Sequence, residues 1–292
     1  MHARMPWIHR FSPRPLPALL IGLLALVGSS CVLPAAVTVS ERSDQTYSLR
    51  AGGALSVKNV NGAVTVEAWD RDEVHVEAVK KAQAGSDGEA RRILRQIKIE
   101  VREEAGRLIV ETRMPGHNGL LDWLAGEGQR QASVEYHLQV PRRLDLDAET
   151  VNGGLRLSGI KGAARLASTN GAIDVAQVDG RLRLQTTNGG IKVSEAAGEV
   201  RAETTNGSVN AQLNRVDGTL SFETTNGHID ITLPRDVRAS IEAETANGNI
   251  HTDFAVAASG QTLRRRLHGD INGGGGKLVA NTTNGGIRIR SS

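Results

Sequence analysis

The residues of this sequence that could do chemistry are mainly carboxylates that recur at one position of a repeat. Glu203, Glu223 and Glu244 each stand three residues before an Asn-Gly pair. If the repeats stack on one another, carboxylates at strand spacing could recruit a divalent cation or a basic partner. A solvated charged face is the simpler interpretation, because Arg201 stands beside Glu203.

Arginines recur two residues earlier in the repeat. Arg165, Arg183 and Arg201 each stand five residues before an Asn-Gly pair, and stacking would align them in a short basic column. Such a column could bind an anionic polymer, while relief of surface charge is the simpler explanation. The two columns together are the candidate face for a partner or a cation.

The spacing of the carboxylates does not indicate a catalytic pair. Asp174 and Asp230 occupy equivalent positions after their Asn-Gly pairs, but Lys192 and Asn210 fill that position in the two repeats between them. Three strand spacings of about 4.8 Å place the two carboxylates roughly 14 Å apart, whereas glycoside hydrolysis needs at most about 9.5 Å. The histidines show no metal-ligand spacing, and the single cysteine has no second thiolate beside it. The sequence therefore predicts no catalytic residue, metal or cofactor, and favours a protein that is not an enzyme.

The Asn-Gly pairs mark a repeat along most of the chain. Their asparagines are Asn61, Asn152, Asn170, Asn188, Asn206, Asn226, Asn247 and Asn284, and the intervals from Asn152 onward are 18, 18, 18, 20, 21 and 37 residues. Apolar residues alternate with polar ones on both sides of each pair, which is typical of β-strands with one buried face. The 37-residue interval is about two repeats.

Two architectures fit this pattern. Asn-Gly is a strong hairpin signal, so a long antiparallel meander is possible. In a parallel β-solenoid with coils of about 18 residues, the corners lie directly on one another. The near-identity of the Thr-Thr-Asn-Gly corners favours the solenoid, since each Asn amide can then bond to the next in a structural ladder. We expect this ladder inside the corner, with Gly completing a bend that other residues resist.

The first half of the chain is less regular. Residues 46–145 are predicted as an N-terminal β region with one short helix at SDGEARRILRQIK, where Ser86 and Glu89 form a capping-box pattern. The segment 115–131, PGHNGLLDWLAGEGQRQ, is predicted as a mobile loop that either folds back over core edges or contacts a membrane or partner. Residues 146–292 are predicted as the solenoid repeats.

Residues 1–30 have the features of an export signal peptide. A basic stretch precedes the 13-residue apolar run LPALLIGLLALVG, which is too short to span a bilayer comfortably. Two serines and then Cys31 follow, as in a bacterial lipobox, so Cys31 is the predicted lipid-attachment residue, with residues 31–45 as the linker. The alternative is ordinary cleavage and a soluble periplasmic or secreted protein.

The net charge excludes one class of partner. The formal charge is +3, but Arg4, Arg10 and Arg14 lie in the predicted leader, which holds no Asp or Glu. Without the leader the basic and acidic residues balance, so nucleic-acid binding is not predicted.

The corners resemble those of a bacterial family of proposed adhesins. The phrases VTVEAWDRDEVHVEA at 64–78 and VEYHLQVPRRLDLDAETVNGGLRLSG at 134–159 share this likeness. The family is a domain of unknown function with NG-punctuated β-helical repeats, similar to the head GIN adhesin domains. The resemblance implies a location in the envelope and a role in adhesion.

The sequence thus predicts an exported β-solenoid of the bacterial cell envelope, acting as an adhesin-like or interaction scaffold. Its expected partner is an envelope protein or a surface polymer, and the membrane is reached through the lipid anchor. An outer-membrane lipoprotein facing the periplasm or the exterior fits these features. The alternatives are a polysaccharide-acting β-helix enzyme and a periplasmic sensor or regulatory accessory protein.

Overall fold

The computed structural model describes residues 36–114, 132–258 and 264–292. The chain divides into a unit of residues 1–34, which lies outside the described residues, and a unit of residues 35–292. The predicted signal peptide, Cys31 and the loop 115–131 all lie outside the described residues. No helix in the described ranges has the length and apolarity that a membrane crossing requires.

The described residues form one helix and twenty-two strands. In chain order they are β1 (Val37–Ser48), β2 (Gly53–Lys58), β3 (Val64–Trp69), β4 (Glu73–Ala84), α1 (Asp87–Gln96), β5 (Lys98–Glu104), β6 (Arg107–Arg113), β7 (Ala132–Pro141), β8 (Leu144–Asn152), β9 (Leu155–Ser158), β10 (Ala164–Asn170), β11 (Ile173–Ala176), β12 (Asp179–Asn188), β13 (Ile191–Asn206), β14 (Val209–Leu213), β15 (Thr219–Asn226), β16 (Ile229–Leu233), β17 (Ala239–Asn247), β18 (Ile250–Thr252), β19 (Val256–Ala258), β20 (Arg266–Ile271), β21 (Gly276–Asn284) and β22 (Ile287–Ser291).

The strands form two sheets, which we call sheet A and sheet B. Sheet B runs β5, β6, β2, β8, β10, β12, β13, β15, β21, β17, β20, β19. Sheet A runs β1, β4, β7, β3, β9, β11, β13, β14, β16, β22, β18. The first part of β13 pairs in sheet A and its last part in sheet B, so this strand joins the two sheets at a corner.

Each regular coil is one strand of sheet B, an Asn-Gly corner, and one strand of sheet A. Neighbouring coils pair in parallel and in register, as in Asn170 beside Asn188 and Ile173 beside Ile191. The parallel β-solenoid is therefore confirmed over the antiparallel meander. The 18-residue period from Asn152 to Asn206 returns like residues to like positions, and the 20-residue coil that follows keeps the same register.

The core lies between the inner faces of the two sheets. The inward residues on both sides of the Asn188 corner, Leu182, Leu184, Ile191 and Val193, are each at most 1% exposed. The same alternation continues through the stack and joins one continuous apolar cluster. Burial of this cluster is the main source of stability, as expected for sheets packed face to face.

The N-terminal end of the stack is closed by antiparallel strands and the helix. β6 and β7 form an end coil that pairs in parallel with β2 and β3, and β5 and β4 then add antiparallel to its two edges. The helix α1 matches the predicted one. Its N-cap Ser86 accepts a hydrogen bond from the Glu89 N–H at 3.3 Å, and Ala90 and Leu94 are buried on β1 and β4.

These pairings change the predicted domain boundaries. β1 begins at Val37, inside the predicted linker 31–45. β2 and β3 are full members of the parallel stack, so the solenoid includes residues that were assigned to a separate N-terminal region. The repeat was hidden there because the chain leaves the stack after β3 and returns to it only at β8.

A buried polar pair bridges the two sheets at this end. The hydroxyl groups of Thr112 in β6 and Tyr136 in β7 lie 2.7 Å apart in the core. Burial raises the pKa of Tyr136 to about 12, while the hydrogen bond with Thr112 opposes part of that rise. The phenol is therefore neutral, and its hydroxyl has the partner that a buried polar group requires.

At the C-terminal end the order of coils in space differs from the order in sequence. The coil of β21 and β22 lies between the coil of β15 and β16 and the coil of β17 and β18. The sequence suggested that the 37-residue interval holds two successive repeats, and the order of the coils in space shows that it does not. The chain forms β17 and β18, reverses through β19 and β20, and then inserts its last coil. Antiparallel β20 covers the edge of β17 that would otherwise be unpaired.

The glycine of each corner is required by close contact between coils. A Cβ built on Gly153, Gly171, Gly189, Gly207 or Gly227 would lie 2.0–2.1 Å from the carbonyl oxygen of the equivalent glycine on the neighbouring coil. These five glycines do not have positive φ. The sequence analysis expected glycine because it allows a bend that other residues resist, and this reason is wrong at these positions. Glycine is needed because the backbones of neighbouring coils approach too closely to leave room for a Cβ.

We predict that Gly189→Ala lowers the free energy of unfolding by about 1–3 kcal/mol, because its Cβ would meet the Gly171 carbonyl oxygen at 2.1 Å. Gly88→Ala is the matched control, since a Cβ there in α1 meets nothing within 4 Å. That control should be neutral or stabilise by less than about 1 kcal/mol. Urea titrations followed by circular dichroism measure both, and equal effects would contradict the contact.

Candidate functional site

Each Thr-Thr-Asn-Gly corner has an inner and an outer part. The first threonine is buried and donates to the carbonyl oxygen of the neighbouring coil's glycine, as Thr186 does to Gly171 at 2.9 Å and Thr204 to Gly189 at 2.9 Å. The second threonine, such as Thr187, is exposed on sheet B. The repeated pair therefore combines one structural hydroxyl with one that faces solvent.

The eight asparagines form one continuous ladder of side-chain amides. In spatial order they are Asn61, Asn152, Asn170, Asn188, Asn206, Asn226, Asn284 and Asn247, and each Nδ2 donates to the preceding Oδ1 at 2.8–2.9 Å. Asn61 ends the ladder by donating to the Ala132 carbonyl oxygen at 3.2 Å.

The ladder lies along an outer edge of the stack, and this corrects the expectation that it would be inside. Asn61 is buried and Asn152 is half-buried, while the other six asparagines are exposed. Strand parity alone would turn the asparagine inward, like the first threonine two positions before it. The corner breaks this alternation, because the strand pairing includes Thr186 and Asn188 but not Thr187 between them, where the chain leaves the sheet.

The predicted carboxylate column lies on the outer face of sheet B, with one change. Glu203 and Glu223 are direct neighbours. Asn281 of the inserted coil lies between Glu223 and Glu244, so these two residues are not on consecutive coils. The described residues contain no group of three His, Cys, Asp or Glu side chains that could hold a metal ion.

Most of these carboxylates have basic partners. Glu203 accepts from Arg201 on its own strand, and Glu244 accepts from Arg266 at 2.5 Å. Arg266 is the first residue of β20, so the Arg264–Arg265–Arg266 run is not simply a solvated loop. Hydrogen bonding to Lys277, together with its charge, lowers the pKa of the nearby Glu242. Glu223 accepts from the Ser221 hydroxyl at 3.2 Å.

The predicted basic column is in register. Arg165, Arg183 and Arg201 lie on consecutive strands of sheet B. Arg165 is directed away from Arg183, to Asp147 at 3.0 Å and to Glu149. Arg201 is bound to Glu203, so Arg183 is left without an acidic partner among the described residues.

An open groove follows the carboxylate column, and we call it the threonine groove. One wall is the exposed threonine column and the other is the carboxylate column, and its volume is about 570 Å³; it is lined by Thr187, Thr205, Thr225, Thr283, Gln185, Glu203, Glu223, Asn281 and Glu244. The sequence analysis missed the threonine wall. The doubled threonine was the available signal, since adjacent residues on a strand point to opposite faces.

The outward carboxylates of sheet A remain apart, as the sequence indicated. Asp174 pairs in register with Lys192, Lys192 with Asn210, and Asn210 with Asp230. Asp174 and Asp230 are therefore three strands apart and bind different arginines, Asp174 to a sheet A neighbour and Asp230 to Arg290 at 2.9 Å.

The strand pairing and the stacked corners define a two-sheet parallel β-solenoid with polar, shallow outer faces. The Toastrack DUF4097 family model matches residues 52–290, and the chain belongs to this family. No curated protein matches the chain.

Solved structures to which this chain is similar include the following three bacterial proteins. A putative cell adhesion protein of Clostridium sporogenes is 11% identical, with a TM-score of 0.38, and the match covers 86% of this chain and 100% of that one. A putative adhesin of Bacteroides fragilis is 9% identical, with a TM-score of 0.37 and coverage of 86% and 97%. A putative adhesin of Parabacteroides distasonis is 10% identical, with a TM-score of 0.35 and the same coverage. Likeness at this level carries no inference about function.

We predict that Asn188→Ala lowers the free energy of unfolding by about 0.5–1.5 kcal/mol, because it removes one donor and one acceptor from the middle of the ladder. The adjacent exposed Thr187 is the control, and Thr187→Ala should stay within about 0.5 kcal/mol of the parent. Thermal and urea unfolding of both variants provide the comparison. If the ladder contributes nothing to stability, the Asn188→Ala and Thr187→Ala variants will have the same free energy of unfolding.

Proposed function

We propose that this chain is a non-enzymatic interaction scaffold of the bacterial cell envelope that binds an envelope protein or a surface polymer along the threonine groove. The observation that carries the proposal is the exact register of the coils, which repeats the same side chains along a straight face. Thr187, Thr205, Thr225 and Thr283 lie on four consecutive strands of sheet B.

The regular spacing favours an extended partner. Neighbouring strands lie about 4.8 Å apart, so threonine hydroxyls recur along the groove at that interval, and the carboxylates of Glu203 and Glu223 are one interval apart. A partner that is itself extended can form the same contact at each step. Because the backbone ladder and the asparagine ladder hold these side chains in place, little conformational entropy is lost when the partner binds.

The groove is suited to binding rather than to enclosing a small molecule. It is open along its length, and its walls are side chains that stand on strands rather than on mobile loops. Small-molecule sites are usually concave and mostly apolar. The groove has neither property, which supports a role in surface contact.

A test compares matched additions of arginine on the two sheets. The Thr205→Arg, Thr225→Arg variant blocks the groove, and Asn210→Arg, Gln212→Arg places the same side chains on the outer face of sheet A. A cross-linked pull-down from the native envelope should recover a partner with the parent and the sheet A variant, and lose it with the groove variant. Equal recovery with all three proteins would refute the groove as the binding face.

A second candidate function, a polysaccharide-acting enzyme, is favoured by one observation. Glu203 and Glu223 are on neighbouring strands and both line the groove, and a spacing of about 5 Å suits a retaining glycosidase. Release of reducing ends from a polysaccharide, abolished by Glu223→Gln, would establish that function. Capture of an envelope protein without affinity for any glycan or host surface would instead indicate a periplasmic sensor or accessory protein.

Attachment to the membrane through Cys31 is part of the proposal. It is supported by the position of this single cysteine two serines after the apolar run. Cells grown with a tagged fatty acid should label the parent protein, and Cys31→Ala should carry no label because no other thiol exists. Label that persists in Cys31→Ala, or an unlabelled parent, would contradict the anchor.

A further inference from the structure

A second depression lies on the outer face of sheet B, away from the threonine groove, and we call it the arginine depression. Its volume is about 280 Å³, and its lining includes Ala54, Arg107, Asp145, Ala163, Arg181 and Arg183, together with the ion pair of Arg165 and Asp147. None of these residues lines the threonine groove.

The depression exists because two small side chains stand among long ones. Arg107, Ala54 and Asp145 follow one another in a single outward column, by direct strand pairing. Ala163 and Arg181 continue that column, since each precedes a residue of the paired row Leu146, Ala164 and Leu182. The two alanines leave an apolar floor between arginines at its ends.

Two of the arginines have charge to offer a ligand. Arg181 is already paired with Glu199 at 3.1 Å. Arg107 and Arg183 have no acidic partner among the described residues. An unpaired guanidinium presents a planar set of donors that matches the geometry of a carboxylate, sulfate or phosphate.

Asp145 limits what the anion can be attached to. Its Oδ1 accepts the Ala163 N–H at 2.9 Å, and its carboxylate lies in the floor between the arginines. A bare anion would be repelled by this carboxylate. A sugar that carries one anionic group can place that group on Arg183, donate a hydroxyl to Asp145, and lay the C–H face of its ring on Ala163 between them.

We propose that the arginine depression binds an anionic sugar residue of a polysaccharide, such as a uronate or a sulfated sugar. Arg183 binds the oxyanion, Asp145 accepts a hydroxyl, and Ala163, which lies between them in strand order, contacts the ring. Arg107 at the far end adds attraction for the next anionic unit of the polymer. This site is separate from the threonine groove, and its test does not depend on capture of a partner there.

Calorimetric titration of the full-length chain with alginate oligosaccharides, dextran sulfate oligosaccharides, neutral dextran and inorganic phosphate tests the site. At least one anionic oligosaccharide should bind more tightly than neutral dextran, with an affinity that falls as salt increases. Arg183→Ala should weaken binding about tenfold or more, since a charge-assisted hydrogen bond is lost. Arg183→Lys should recover part of that loss. The uronate and sulfate arms identify the oxyanion.

Three controls make the outcome specific. Arg288→Ala removes an exposed arginine of sheet A that has no acidic partner within the described ranges, and it should change nothing. Thr205→Arg, Thr225→Arg should also leave binding intact, so failure of the groove proposal and failure of this one are distinguishable. Asp145→Asn should weaken binding of the oligosaccharide and strengthen that of inorganic phosphate. Thermal melting of each variant confirms that it is folded.

Two results would overturn the proposal. One is equal affinity for neutral and both anionic oligosaccharides in the parent protein, including no binding at all. The other is binding that Arg183→Ala and Arg288→Ala weaken to the same extent, which would indicate general attraction to basic surface. Tighter binding of the oligosaccharide by Asp145→Asn would contradict the proposed hydroxyl contact and would indicate that the site binds simple anions only.

Discussion

The close approach of one coil's corner to the next is the constraint on which this structure depends. At Gly171 and Gly189 the backbones approach so nearly that the space for a Cβ is filled by a carbonyl oxygen. The Gly171 N–H bonds to the Asn188 carbonyl at 3.0 Å, which continues the parallel ladder through the corner. Because this contact leaves no room for a side chain, it fixes the position of each coil along the stack. The register of both sheets follows from it.

Fixed register explains why the inward positions are uniform and the ends are not. An open parallel stack would present unpaired strand edges, which favour aggregation. At the N-terminal end β4 and β5 add antiparallel to the end coil of β6 and β7, and α1 packs on β1 and β4. At the other end β20 adds antiparallel to β17. The chain thus leaves the repeat only where a strand edge must be covered.

The sequence predicted what the repeat imposes and failed where the chain departs from it. The 18-residue intervals and the alternation of apolar residues were enough to predict a parallel solenoid, because register depends only on period and parity. The place of Asn281 between Glu223 and Glu244 could not be predicted, since the insertion of the last coil is a choice among several stackings of equal local propensity. The exposed position of the asparagines could not be predicted either, because it depends on the corner breaking the strand alternation, and the Thr-Thr-Asn-Gly sequence alone does not show where that break falls.

The same reasoning indicates where function can be encoded in such a fold. The inward columns and the corners are determined by packing, so they can differ little from coil to coil. The outward columns carry no such constraint, and their local exceptions therefore have causes other than folding. Two exceptions of this kind stand out in the part of the chain that the structure describes. Arg183 has no acidic partner there, although the arginines on both sides of it do, and Ala54 and Ala163 open a depression among long side chains. In a scaffold built from near-identical coils, the positions that break the pattern are the ones most able to distinguish one ligand from another.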